Sequence, residues 1–284
     1  MQKILDGRLV SQAVLATVKE AVQALSVQGK AVKLVVLVVG EDPASAVYVG
    51  HKEKACAKVG MLSEKIALPA STSESELIAK IEQLNADASV TGMIVQLPLP
   101  KHIDSAKVLK AIHPYKDVDG FHAYNMGKML ISQEFEDLAP CTPKGICTLL
   151  KFYEIDVAGM DVVVLGRSNI VGKAIASMLL NRDATVTICH SRTKNVSKFT
   201  KEADLIVAAV GKPHFLTADM VKPEAIIIDV GIHRLEDGTL AGDVDPAAAA
   251  VASAFTPVPG GVGPMTVATL LMNTVTAAQK YANL

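Results

Sequence analysis

Four short runs constrain this chain more than anything else in it. KLVVLVVG (33–40), DVVVLG (161–166), ADLIVAAVG (203–211) and AIIIDVG (225–231) are nearly unbroken stretches of apolar residues that end in glycine. A strand with one face in water alternates apolar and polar residues, so a run that is apolar throughout reads as a strand covered on both faces, as inside a parallel sheet. GMIVQLP (92–98) reads the same way, TVTICH (185–190) supplies another strand, and a short one is expected around Lys65–Leu68. Parallel strands need long crossovers, and helical patterns lie between these runs. Leu9, Val10, Ala13, Val14, Val18, Ala21, Val22 and Leu25 recur at helical spacing with Gly29 as a stop. Ser73 and Glu76 form a capping box ahead of Leu77, Ile78, Ile81 and Leu84, and a further helix is expected over 171–181.

A chain of 284 residues is long enough for two such α/β domains. The texture changes at APCTPKGICTLLKFYEI, where two prolines and a glycine precede an apolar helical run, which puts a boundary near residue 139. The expected division is residues 1–139 and 140–265, with a last helix over 266–284 that Thr266 opens.

With 28 Lys and Arg against 29 Asp and Glu, the formal net charge is -1, so no global field draws the chain to nucleic acid or to an anionic membrane. No stretch reaches the roughly 18 to 20 apolar residues of a membrane span, and MQKILDGRLVSQAV lacks the features of an export signal. Cys56, Cys141, Cys147 and Cys189 are scattered without a CxxC pair, which fits a reducing cytoplasm. The histidines are dispersed, with no HExxH and no paired Cys/His spacing, so no metal site is expected.

Two segments carry chemistry. In the second half, a strand ending at Gly166 is followed by RSNIV and by Gly172 opening a helix, the parts a dinucleotide pyrophosphate needs: a tight turn, close backbone approach and free N–H groups at a helix start. The spacing departs from GxGxxG, because Ser168 and Val171 stand where the second and third glycines belong, and an ordinary strand-to-helix turn reads equally well. The next strand ends in His190-Ser191-Arg192-Thr193 with no carboxylate to take a ribose hydroxyl. Arg192, Ser191 and Arg167 suit a 2'-phosphate instead, favouring NADP over NAD, although any single Arg is as readily a solvated surface charge.

In the first half, Tyr48 and Lys52 lie four apart on an expected helix that has Ser45 near its N-cap and Gly60 at its end, so they share a face. A snorkelling lysine beside a half-buried tyrosine would look the same. His51 between them reads as a solvent-facing residue. Gln96 stands at the C-terminal end of a buried strand, where open α/β sheets hold ligands, and Asp119 in KDVDGF lies in a turn closed by glycine. Each has a dull alternative, a satisfied strand end and a self-capped turn. Their joint occurrence with Lys52 is harder to dismiss.

YVGHKEKAC (48–56), VQLPLP (95–100), KDVDGF (116–121), PCTPKG (140–145), GRSNIVGK (166–173), CHSRT (189–193) and PVPGGVGPMT (257–266) follow one another along most of the chain. Together they closely resemble the bifunctional methylenetetrahydrofolate dehydrogenase/methenyltetrahydrofolate cyclohydrolase family. The resemblance implies an N-terminal α/β folate-binding catalytic domain completed by the C-terminal helix, a Rossmann-type NADP-binding domain, a cleft between them, and a homodimer formed through the NADP-binding domain. It implies oxidation of 5,10-methylenetetrahydrofolate with NADP and hydrolysis of the 5,10-methenyl product to 10-formyltetrahydrofolate in one shared site.

By motif match Lys52 carries the chemistry, Tyr48 packs against the folate, Gln96 hydrogen-bonds Lys52 and Asp119 anchors the pterin. Pro259, Gly260, Gly261 and Thr266 contact substrate, and Gly231 and Ile232 lie near the nicotinamide beside the cofactor contacts Gly166, Arg167, Ser168, Gly172, Ser191 and Arg192. Burial and a cationic product would both favour a neutral Lys52, able to assist the proton transfers of hydrolysis. The glycines and prolines of PVPGGVGPMT suit a rigid loop whose backbone approaches a flat ligand. The alternatives are another two-domain NADP-dependent dehydrogenase of a small acid without cyclohydrolase activity, and a dinucleotide-sensing module without turnover.

Overall fold

The computed structural model describes residues 2–281; the side chains of residues 43–47, Ser45 among them, lie outside the described set. In chain order the elements are β1 (Lys3–Ile4), α1 (Gly7–Val27), β2 (Lys33–Val39), α2 (Pro43–Val59), β3 (Leu62–Leu68), α3 (Glu74–Ala86), β4 (Gly92–Val95), α4 (Ser105–Ala111) and α5 (Ala123–Ile131). There follow α6 (Cys141–Phe152), β5 (Asp161–Leu165), α7 (Gly172–Leu180), β6 (Thr185–Cys189), α8 (Ser197–Thr200), β7 (Leu205–Ala208), β8 (Ile226–Asp229), β9 (His233–Arg234), β10 (Leu240–Ala241), α9 (Pro246–Val251), β11 (Ala254–Phe255) and α10 (Val262–Lys280). They form two compact units. One comprises Gln12–Lys128, Phe135–Cys141 and the chain from Val267 onward; the other comprises the chain up to Ser11, Met129–Glu134 and Thr142–Thr266.

The first unit is built on a parallel sheet of order β3-β2-β4. Val35, Leu37 and Val39 of β2 pack with Leu77, Ile81 and Leu84 of α3 and Val108 of α4. Leu34, Val36 and Val38 point the other way, against Val18, Val22 and Leu25 of α1, Val49, Cys56 and Val59 of α2, and Leu270, Leu271 and Val275 of α10. Both faces of β2 are thus covered, which is why KLVVLVVG has no polar break. β3 is an edge strand and mostly exposed, so it runs from Leu62 although only its end carries an apolar signal. The capping box forms as the sequence requires: Glu76 N donates to Ser73 Oγ and Ser73 N to Glu76 Oε2 at 3.3 and 2.8 Å. α2 begins at Pro43, so Ser45 lies in its first turn.

The second unit is a parallel sheet of order β1-β11-β8-β7-β5-β6 with a small β9–β10 hairpin. β6 lies on one side of β5 and β7 on the other, so the strand order reverses beside β5. That reversal is where doubly wound sheets bind ligands, outside the strand C-termini.

The last helix corrects one expectation. It starts at Val262, and Thr266 lies a turn inside it with its Oγ1 2.9 Å from Thr142 Oγ1. Pro264 falls in the first turn, where N–H groups have no partner within the helix, so it does not delay helix formation. Among the described residues, no helix is long and apolar enough to cross a membrane.

Candidate functional site

Within the first unit, β4 runs into Gln96 at the point where the order of the three strands reverses. The Gln96 amide is oriented by its neighbours: its backbone N donates to Leu37 O at 2.8 Å, and its side-chain Nε2 donates to Leu97 O at 2.8 Å. Oε1 is left to accept from Lys52 Nζ at 2.9 Å. Lys52, on α2, is the one buried lysine among the described residues, 9% exposed. One turn earlier on the same helix, Tyr48 is 41% exposed, and His51 faces solvent.

The 117–119 segment runs beside β4, tied to it by a parallel bridge between Met93 and Asp117. Asp119 is partly buried. Burial pushes its carboxyl above the ordinary value; the Lys52 charge and a hydrogen bond with the Cys141 thiol oppose that rise. The structure therefore gathers Lys52, Gln96 and Asp119, separated by up to 67 positions, at one end of one sheet, with Tyr48 on the same helix as Lys52.

Three supporting residues escaped the sequence reading. Asn273 of α10, fully buried, donates from Nδ2 to Val118 O and Ala139 O, both at 3.0 Å, pinning the main chain beside Asp119. The Cys141 thiol donates to Val118 O at 3.3 Å. Asp117 accepts from Phe121 N (3.2 Å), His122 N (2.8 Å) and Asn125 Nδ2 (2.9 Å), so it fixes the turn that carries Asp119. Its signal was legible: a carboxylate at the start of KDVDGF, close ahead of the helix beginning at Ala123, is placed to take free N–H groups.

Asp117 is 1% exposed, and burial, reinforced by the Asp119 charge, pushes its carboxyl up to about 6 against the bonds it accepts. A carboxyl raised on folding binds its proton more tightly in the native state, so its contribution to stability falls as pH rises from about 4 to about 6. A shift of that size corresponds to about 3 kcal/mol. Asp117→Asn, which cannot titrate, should consequently trail wild type by more at pH 4.5 than at pH 7.5 in urea unfolding; an equal deficit at both would remove the titration argument.

In the second unit, Gly166 follows β5 at the strand-order reversal and packs against the chain leaving β7. A Cβ at Gly166 would stand 2.1 Å from Ala209 O, and the backbone holds a positive φ of 116°. A Cβ at Gly172 would meet Gly166 O at 2.3 Å, so the close helix-to-turn approach falls to Gly172, one position later than in GxGxxG. Ser168 Oγ accepts from Gly172 N, the first residue of α7, at 3.3 Å. Arg167, Ser191 and Arg192 are exposed just beyond the paired ends of β5 and β6, where Leu165 lies opposite Cys189. The turn at Arg192 is fixed by His190 Nδ1, which accepts from Arg192 N, and by Thr193 Oγ1, which accepts from His190 N. Among the described residues no Asp or Glu stands at the end of β6.

Gly231 and Ile232 leave β8 at the same end of the sheet, Ile232 being 48% exposed. Pro259 is exposed and Gly260 and Gly261 are buried; Gly260 O accepts from Arg8 N at 3.1 Å, and Gly261 N donates to Pro257 O at 2.7 Å. The glycines of that loop thus serve the protein's own packing against the start of α1.

Both halves of the chain match known proteins. The model of the tetrahydrofolate dehydrogenase/cyclohydrolase catalytic domain matches residues 5–119, and that of the NAD(P)-binding domain of the same proteins matches residues 140–282. The chain is 57% identical to the Bifunctional protein FolD of Campylobacter curvus over 281 residues, 99% of this chain and 97% of that protein. The FolD methylenetetrahydrofolate dehydrogenase/cyclohydrolase structure from Campylobacter jejuni matches with a TM-score of 0.95 at 47% identity, over 98% of this chain and 99% of that one. A Trypanosoma brucei FolD solved with NADP cofactor and inhibitor matches with a TM-score of 0.95 at 35% identity, over 100% and 99%. Two domain models in the right order and near-complete coverage at these identities place this chain in the tetrahydrofolate dehydrogenase/cyclohydrolase family.

Proposed function

We propose that the chain is a bifunctional one-carbon enzyme that oxidises 5,10-methylenetetrahydrofolate with NADP and hydrolyses the 5,10-methenyl product to 10-formyltetrahydrofolate. The observation that carries this reading is the meeting of Lys52, Gln96 and Asp119 at the strand-order reversal of the first unit. A pterin edge presents adjacent N–H and amino donors, and a single carboxylate such as Asp119 can accept both. Tyr48 offers an exposed ring against which a flat substrate packs. Hydrolysis requires that water lose a proton while a ring nitrogen gains one; Lys52 Nζ, held by Gln96, is the group suited to exchange protons there. Pro259, Gly260, Gly261 and Thr266 are assigned as further substrate contacts by motif match alone.

The second unit fits a phosphorylated dinucleotide: Gly166 and Gly172 bring backbone close together ahead of a helix start, and the exposed Arg167, Ser191 and Arg192 supply donors without a competing carboxylate. When bound, NADP supplies the acceptor for the hydride leaving the folate methylene bridge. Gly231 and Ile232 are assigned to its nicotinamide end. Replacing both Arg167 and Arg192 by Ala should lower the NADP-over-NAD ratio of kcat/KM at least about tenfold, the scale of losing a charge-assisted bond. A wild-type preference for NAD that the double variant leaves unchanged would sink the assignment.

The same reading includes a homodimer and a cytoplasmic location. Support for the dimer is that β6 forms the open edge of the six-stranded sheet, with Ile188 40% and Leu180 62% exposed beside it. The function is tested by following the formation and decay of methenyltetrahydrofolate absorbance with NADP. Both signals are expected. A folded, NADP-binding protein giving neither would overturn the reading, and formation without catalysed decay would favour a dehydrogenase alone.

A further inference from the structure

Asp243 is fully buried, yet it lies on no strand and faces no lysine or arginine within ion-pair distance among the described residues. Its side chain is saturated. Oδ2 accepts from Val210 N at 2.6 Å and Gly211 N at 3.0 Å; Oδ1 accepts from Lys212 N at 3.0 Å and faces His233 Nε2 at 2.7 Å. Four donors fill the lone-pair sites of a carboxylate, two to each oxygen. Three of the donors are consecutive backbone N–H groups of the turn that leaves β7. The fourth belongs to the residue immediately after Gly231 and Ile232.

A second carboxylate holds the first. Asp229, at the end of β8 and also buried, accepts from Asp243 N at 2.9 Å and Val244 N at 3.0 Å, and from Gly231 N at 3.0 Å. Backbone packs as tightly as the hydrogen bonds imply: a Cβ on Gly231 would meet Asp243 Oδ1 at 2.4 Å, and one on Gly242 would meet Asp229 Oδ2 at 1.8 Å. The turn so held begins next to Ala209, whose carbonyl oxygen rests against Gly166. Thus the 210–212 turn and the 231–233 segment, both at the C-terminal ends of the parallel strands, are held by one buried pair of aspartates, and the Gly166 turn packs against the residue before the first of them.

We propose that Asp243 and His233 are positioning residues of the dinucleotide site: the carboxylate fixes the 210–212 turn, and the imidazole, by closing its last lone pair, fixes Gly231 and Ile232 where the nicotinamide end of the cofactor binds. The proposal rests on the NADP reading above. His233 acts through Asp243 and the backbone. Its contribution is preorganisation, so its loss is felt as weaker cofactor binding rather than as slower chemistry once the cofactor is in place.

The test is calorimetric titration of the purified protein with NADP, paired with steady-state kinetics. His233→Ala removes a donor from a side chain that is 21% exposed, whereas Asp243→Ala would strip a saturated buried turn and risk the fold. His233→Ala should raise the Kd for NADP at least about tenfold, the scale of one hydrogen bond to a charged group. It should raise KM for NADP in parallel while kcat for oxidation stays within about threefold, and His233→Gln, which keeps a donor at comparable reach, should recover most of the affinity. Unchanged Kd in His233→Ala, or kcat falling as far as affinity, would overturn the proposal. So would failure of His233→Gln to bind better than His233→Ala. The titration does not require folate chemistry, so tight NADP binding by a wild-type protein without turnover would count against the proposed function and leave the clamp standing.

Discussion

Lys52→Met is expected to slow the hydrolysis of methenyltetrahydrofolate at least about a hundredfold at saturating substrate. Met matches the apolar stem of Lys and fills most of the same buried space without the terminal nitrogen. The lost group is the Nζ that donates to Gln96 Oε1 at 2.9 Å and whose charge offsets the effect of burial on the Asp119 carboxyl. Water attacking the methenyl carbon must shed a proton as the ring opens, and general acid–base assistance of that kind is worth about a hundred- to ten-thousand-fold. Oxidation is expected to respond differently, because hydride transfer depends chiefly on the placement of two bound molecules and transfers no proton to the protein. Two measurements separate the effects: kcat for decay of the methenyl absorbance reads the chemistry, and KM for folate reads any accompanying change in binding. A variant that hydrolyses at a near-normal rate would remove Lys52 from the chemistry.

What the sequence disclosed and what it withheld follow a physical line. β2, β5, β7 and β8 were legible because sheets covered on both faces demand apolar residues at every position, and α3 because its capping box is a local device. β1 and β11 were not, because strands of two residues carry no periodicity; their pairing depends on partners some 250 positions apart. The start of α10 was misplaced for a different reason: VGP looks like loop composition, and only the position of Pro264 within a first turn makes it helical. Among site residues, Lys52, Gln96 and Asp119 stood in recognisable motifs. Asp117 stood in the same motif unremarked, and Asp229 and Asp243 looked like ordinary residues after strands, since only the fold shows that they face backbone N–H groups rather than water.

Gly166→Ala should weaken NADP binding at least about a hundredfold while leaving hydrolysis of methenyltetrahydrofolate, which consumes no NADP, measurable at 25 °C. Two costs add at this position. A residue with a Cβ at φ 116° sits in a region open essentially to glycine, at a cost of order 1–3 kcal/mol. The Cβ would also stand 2.1 Å from Ala209 O, far inside van der Waals contact. One side must therefore move. The β7 end is poorly able to yield, since Ala209 N donates to Leu165 O at 2.8 Å and the next three N–H groups are bound to Asp243. Displacement then falls on the Gly166 turn and on Gly172 above it, the segment that has to bring its N–H groups to a pyrophosphate. A loss of about 3 kcal/mol in binding is a hundredfold in Kd. Calorimetric titration with NADP reads that loss directly, and a thermal melt distinguishes it from general unfolding. If Gly166→Ala bound NADP like wild type, the tight turn would be a packing feature only, and the cofactor would have to be held elsewhere.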